Sequence, residues 1–228
     1  MVNRKRTAVG SIRQSPGNPE KKKSRAGLRA RRLSAEDRRA QLLRAAMAVF
    51  AKRGIAAARP SEVAEEAGVS EATVFAYFAT RQELVLAVIG EVERLYLEID
   101  RHFLEDTTLP VWQAIHSLAR TFADSVDRYP DHARVFLDWG NTMAPEIFAS
   151  FLAFQEQVIT MLTRTLRRGR RDGSVAPDID AADAARLGFA SAQMLIQMKL
   201  VGKSRRQIER FLNSLTRALV GQPRVAEK

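Results

Sequence analysis

The chain of 228 residues has no cysteine and only three histidines, His102, His116 and His132. The first absence excludes disulfides and thiolate chemistry and fits a reducing compartment. The histidines are well separated, and none has a His or Cys at i+3 or i+4, so no metal box is present. Each reads as a structural residue at or near the surface. Gly-rich phosphate loops and nucleophile elbows are missing too. The adjacent acids Glu65-Glu66 and Glu105-Asp106 sit in polar settings, as solvated pairs do. An enzyme is therefore not expected, and neither is a metal or a cofactor. No run of about 18 apolar residues occurs, which speaks against a membrane span. The first residues lack the apolar core of a secretory signal, so a cytoplasmic protein is expected.

Acidic residues are scarce in one place. Residues 1–33 contain eleven Lys and Arg against one acid, Glu20, whereas the rest of the chain carries 26 basic and 25 acidic residues. Nearly all of the +11 formal charge belongs to this N-terminal segment. It is also rich in Gly, Pro, Ser and Asn and too poor in apolar residues to fold alone, so 1–32 reads as a disordered basic arm. A transit peptide would share the charge, but no apolar face appears at helical spacing. The excess charge points to a polyanionic partner.

Beyond the arm, period-3.6 apolar patterns succeed one another and no strand signal competes, so the chain is expected to be all-α with about nine helices. Ser34 opens the first, with a stripe of Leu42, Leu43, Ala46, Val49 and Phe50 up to Gly54. Thr80 and Glu83 form a capping box before a long helix carrying Leu84, Val88, Val92, Tyr96 and Ile99 as far as about Phe103. Further helices begin near Pro110, Pro130 and Pro145, where a proline suits a first turn. The last two run over about 181–200 and 204–220, leaving 222–228 as a tail. Between the first and the long helix lies Ser61 to Arg81, SEVAEEAGVSEATVFAYFATR. Here two very short helical patterns are pinched together at Ala67-Gly68-Val69-Ser70. Gly68 can take positive φ and Ser70 can cap the second piece, in which Val74, Tyr77 and Phe78 form the apolar side while Ala72, Thr73 and Ala76 stay outward. Such a pair is either an ordinary αα-hairpin or a helix-turn-helix whose second helix enters the DNA major groove.

The flanks distinguish the two. From Leu33 to Leu86 the order of Leu42, Ala45, Ala46, Phe50, Gly54, Ala64, Ala67, Gly68, Val69, Ser70, Thr73, Tyr77, Phe78 and Leu84 resembles the DNA-binding domain of TetR-family bacterial transcriptional regulators. Within that family, RLSAEDRRAQLL, ATVFAYFATRQELV and ARVFLDWGNTMAPEIFASFL are similar to the LuxR/HapR-type quorum-sensing regulators, which both activate and repress. Ala76 departs from that subgroup's Asn, which leaves its operator preference open.

The resemblance implies a helix-turn-helix domain over 33–80 and a helical regulatory and dimerisation domain over 81–221. It implies a homodimer on double-stranded DNA, reading a pseudo-palindromic operator. Ser61, Ser70, Glu71, Ala72, Thr73, Ala76, Tyr77, Thr80 and Arg81 are the expected DNA-facing residues, and Arg29, Arg31 and Arg32 of the arm would follow the backbone or enter a minor groove. A dimer seam on the last two helices would use Gly188, Ala192, Phe211 and Leu215. A pocket for a hydrophobic small-molecule effector would be lined by Tyr96, Ile99, Phe136, Trp139, Gln155 and Ile159, although ordinary core packing explains those residues equally well. Three functions stay open: a quorum-sensing-type global regulator, a ligand-released local repressor of efflux or catabolic genes, and a nucleoid-associated protein binding DNA without sequence preference.

Overall fold

A computed structural model of the chain describes residues 33–221. The basic arm at 1–32, including Arg29, Arg31 and Arg32, and the tail at 222–228 lie outside the described residues. Within them are nine α-helices and no strand: α1 (Ala35–Arg53), α2 (Pro60–Ala67), α3 (Glu71–Tyr77), α4 (Arg81–Leu104), α5 (Val111–Arg128), α6 (Pro130–Asn141), α7 (Pro145–Asp172), α8 (Ala181–Leu200) and α9 (Arg205–Val220). No single one of them is long and apolar enough to cross a membrane.

Side-chain caps fix most of these boundaries. The Ser34 hydroxyl accepts from Asp37 N at 3.0 Å, and Asp180 accepts from the amides of Ala182 and Asp183, each at 2.9 Å. Ser204 and Gln207 make a reciprocal capping box ahead of α9. At α4, Thr80 Oγ1 accepts from Glu83 N at 3.0 Å, but Glu83 reaches back to Ala79 N rather than to the cap residue. Pro130 and Pro145 occupy first-turn positions, whereas Pro110 is itself the N-cap of α5.

Helices α1, α2 and α3 close around Leu42, Ala46, Phe50, Val63, Val74 and Phe78, all essentially inaccessible to solvent. Helix α4 leaves α3 at a bend of 67° and packs against α1, α5, α6 and α7. The expected division at 80/81 falls at that bend, yet the buried side chains from Leu42 to Val220 form one continuous hydrophobic core. Helix α6 accounts for much of this continuity, because it contacts α1 on one side and α7 and α8 on the other. Interlocked rings of Tyr96, Phe122, Phe136, Trp139, Phe151, Phe154 and Phe189 fill the centre, with centroids 4.9–6.5 Å apart. Each large apolar side chain so buried contributes roughly 1.5–3 kcal/mol relative to exposure.

Candidate nucleic-acid interface and internal cavity

The α2-turn-α3 unit is built by local chemistry. Gly68 ends α2 in the left-handed conformation, φ 66° and ψ 38°, and Val69 N bonds back to Ala64 O at 2.9 Å. Ser70 then caps α3, accepting from Thr73 N at 3.2 Å. Gln41 of α1 donates to Ala67 O at 2.9 Å, tying the end of α2 to the domain core. Val74 and Phe78, one turn apart, are fully buried and fix α3 by a single face, while the Arg39 guanidinium covers the Phe78 ring at 5.0 Å. The opposite face is exposed and consists of Glu71, Ala72, Phe75 and Ala76.

Most of the expected DNA-facing residues are accessible to solvent. Ser61, Ser70 and Thr80 are exposed with Glu71, Ala72 and Ala76, and Tyr77 is half-buried against the core. Thr73 is half-buried, and its hydroxyl pairs with the Ser70 hydroxyl at 2.9 Å beside the N-cap. One expectation is corrected. Arg81, expected at the DNA backbone, turns into the protein: Nε donates to Ala58 O at 3.1 Å, and a terminal nitrogen donates to Ala56 O at 3.1 Å and to Ile55 O. Those carbonyls lie in the loop between α1 and α2, which lacks helical partners of its own.

Phe75 was not anticipated. It is 42% exposed, a large ring at the centre of the outward face of α3. Its position was nonetheless legible, since the spacing that buries Val74 and Phe78 places residue 75 with Ala72 on the other side. A second unanticipated residue is Asp138 of α6, within the VFLDW stretch. Its carboxylate accepts from Ile55 N at 2.5 Å and lies beside Gly54. The α1–α2 loop is thus clasped by Arg81 from α4 and by Asp138 from α6. Between Arg59 and Arg81 there is no Lys or Arg, whereas Glu62, Glu65, Glu66 and Glu71 all fall there, so the helix pair itself supplies no positive charge.

A cavity of about 70 Å³ lies among α4, α5, α6, α7, α8 and α9. Of the expected pocket residues only Tyr96 and Phe136 line it. Trp139 is wholly buried core, its Nε1 bonded to Ile147 O at 3.1 Å and Ser150 Oγ at 3.0 Å. Ile99 faces a separate surface groove beside Glu98 and His102, and Gln155 and Ile159 are absent from the cavity wall. The wall instead includes Asp100, Phe122, Phe154 and Phe189.

The residues expected at a dimer seam are half-buried in the single chain. Gly188, Ala192 and Leu215 line the same cavity, and Phe211 packs against the core. A Cβ on Gly188 would stand 3.3 Å from Leu219, so this glycine serves close approach of α8 and α9 within one copy. The exposed side of α8 carries Leu187, Ala190, Met194 and, just past its end, Val201. Among the described residues no group of three or more His, Asp or Glu is placed to hold a metal ion.

Residues 42–88 match the family model described as bacterial regulatory proteins, tetR family. The chain is similar to the HTH-type transcriptional regulator LuxR of Vibrio harveyi, 31% identical over 145 residues that cover 60% of this chain and 69% of that protein. Its fold is shared with a TetR transcriptional regulator from Chloroflexus aurantiacus, TM-score 0.72 at 17% identity, covering 82% of this chain and 96% of that one. It is shared also with the transcriptional regulator FadR of Bacillus subtilis in complex with stearoyl-CoA, TM-score 0.68 at 17% identity, covering 80% and 97%. Joined to a capped, one-sidedly anchored helix pair with a solvent-facing reader surface, these likenesses settle the assignment: the chain belongs to the TetR family of DNA-binding transcriptional regulators.

Proposed function

We propose that the protein is a bacterial cytoplasmic regulator that binds a two-fold symmetric operator as a homodimer. The α3 helix of each copy lies in successive major grooves, about one helical turn apart. The observation that carries this reading is the rigid mounting of α3, which is held by Val74 and Phe78 and leaves Ala72, Phe75 and Ala76 free to meet base edges. That surface offers no bidentate donor, so it suits thymine methyl groups. The exposed apolar stripe Leu187, Ala190 and Met194 on α8 is the proposed contact with the second copy.

Selection from random duplexes tests this. A two-fold symmetric site with thymine in each half is expected, and replacing those thymines by uracil, which removes only the methyl, should weaken wild type more than Phe75→Ala. Absence of any enriched sequence would overturn the reading in favour of nucleoid-type binding.

The cavity is the proposed effector site. Helix α4 carries both Tyr96 in its wall and Arg81 of the clasp, and α6 carries both Phe136 and Asp138. A ligand that spreads the chamber therefore acts on the loop that seats α2 and α3. The likeness to LuxR favours a quorum-sensing-type global regulator over a local repressor.

A further inference from the structure

Five aromatic rings line the cavity, from Tyr96, Phe122, Phe136, Phe154 and Phe189, and a hydrocarbon would suit them. Three polar side chains lie in the wall; Ser191 donates to Leu187 O at 2.7 Å, and the other two would be wasted on a hydrocarbon. Asp100 follows Tyr96 by four residues on α4, so both project from one face of that helix. The Asp100 side chain is 8% exposed, lines the cavity, and makes no hydrogen bond or ion pair with any described residue. The buried Tyr96 hydroxyl makes no well-formed hydrogen bond; the Ser125 hydroxyl is near enough to act on it but donates to Phe122 O at 2.6 Å. No Lys, Arg or His lines the chamber.

A buried carboxylate without a partner is costly, and desolvation pushes the Asp100 carboxyl up to about 7. A cation delivered by a ligand would remove that cost. The surrounding ring faces attract the same charge and repel a carboxylate or phosphate. We propose that the chamber takes an apolar effector carrying one protonated amine, which pairs with Asp100, donates to the Tyr96 hydroxyl and rests its apolar body against the rings. This rests on the reading of the cavity as the effector site. The void of about 70 Å³ is smaller than the roughly 300–1,000 Å³ usual for ligand sites, so a compact molecule that displaces wall side chains is the fitting size.

The experiment compares three probes with one body and different heads: 4-phenylbutylamine, 4-phenylbutanol and 4-phenylbutyrate. Calorimetry and thermal shift at pH 8 are run on the full chain and on Asp100→Asn and Tyr96→Phe. Wild type is expected to bind the amine at least tenfold more tightly than the other two and to melt higher in its presence. Asp100→Asn should bring amine and alcohol within about twofold of each other by weakening only the amine. Tyr96→Phe, which keeps the ring, should weaken the amine severalfold. Preference for the alcohol or the carboxylate would overturn the amine proposal while leaving the effector site standing, and so would an amine preference undiminished in Asp100→Asn. If none of the three binds, the proposal falls together with the reading it rests on.

Discussion

Single residues in this molecule carry roles that their type alone does not announce. Asp100 reads in the sequence as one more polar position on a helix, yet it is buried with its carboxyl pushed up to about 7 from an ordinary 3.8. The sign of the effect follows from proton counting. Below about pH 4 the acid is protonated in both folded and unfolded chains, and between there and pH 7 only the folded chain keeps its proton. Stability therefore falls as pH rises through that window, and the loss is complete above it, on the order of 4 kcal/mol. His132, whose pKa is lowered by burial, acts with the opposite sign, costing stability as pH falls below its ordinary 6.5. Urea unfolding of wild type and Asp100→Asn across pH 4–8 separates them, because His132 is common to both. The variant is expected to gain on wild type steadily toward pH 8; a constant difference would mean that Asp100 does not titrate. Phe75 makes the complementary point. Its exposure followed from spacing, but a search for apolar stripes groups a Phe with the core by default.

At the scale of elements, α2 and α3 are short and depend on their ends. Helix α3 has only seven residues, too few to hold itself in water, so Ser70, Gly68 and the two anchors Val74 and Phe78 decide whether it exists. The clasp on the α1–α2 loop is a junction of three elements, since Arg81 comes from α4 and Asp138 from α6. Arg81→Met is expected to cost about 2 kcal/mol in chemical unfolding, the usual scale for charge-assisted hydrogen bonds lost from a partly buried site. Its DNA affinity should fall while the slope of affinity against salt stays as in wild type. Stability unchanged with a shallower slope would return Arg81 to the phosphate backbone, as the sequence suggested. The helix pattern made Arg81 a first-turn surface charge; only the neighbouring loop, distant by more than twenty residues, shows where its donors go.

For the whole molecule the question is where the affinity for DNA comes from. The segment from 60 to 80 has four acids and no base, while the eight Lys and Arg among residues 1–28 face a single acid. Deleting residues 1–28 is expected to weaken binding at moderate salt and to flatten the dependence of log affinity on log salt. Each lost phosphate contact removes about 0.9 from the slope. An unchanged slope would exclude this segment from the interface. Such a division of labour fits a reader surface of Ala72, Phe75 and Ala76, which can choose among bases but cannot neutralise phosphates.

Composition and periodicity by themselves determined the all-α class, about nine helical segments and the short-helix pair at its position with its Gly68 and Ser70 ends, while the resemblance to the family made that pair a helix-turn-helix. These depend on neighbours within a few residues: Gly68 can adopt positive φ and Ser70 can cap wherever they stand. Tertiary structure decided which faces meet. It set Gly188, Ala192 and Leu215 half-buried beside the cavity, moved the cavity wall from Trp139 and Gln155 to Asp100 and Phe189, and spent Arg81 on a loop. The physical reason is that an amphipathic stripe shows that a face is buried without showing against what. α8 has an inner face of small residues and an outer one with Leu187 and Met194, and only its packing on α7 and α9 tells them apart.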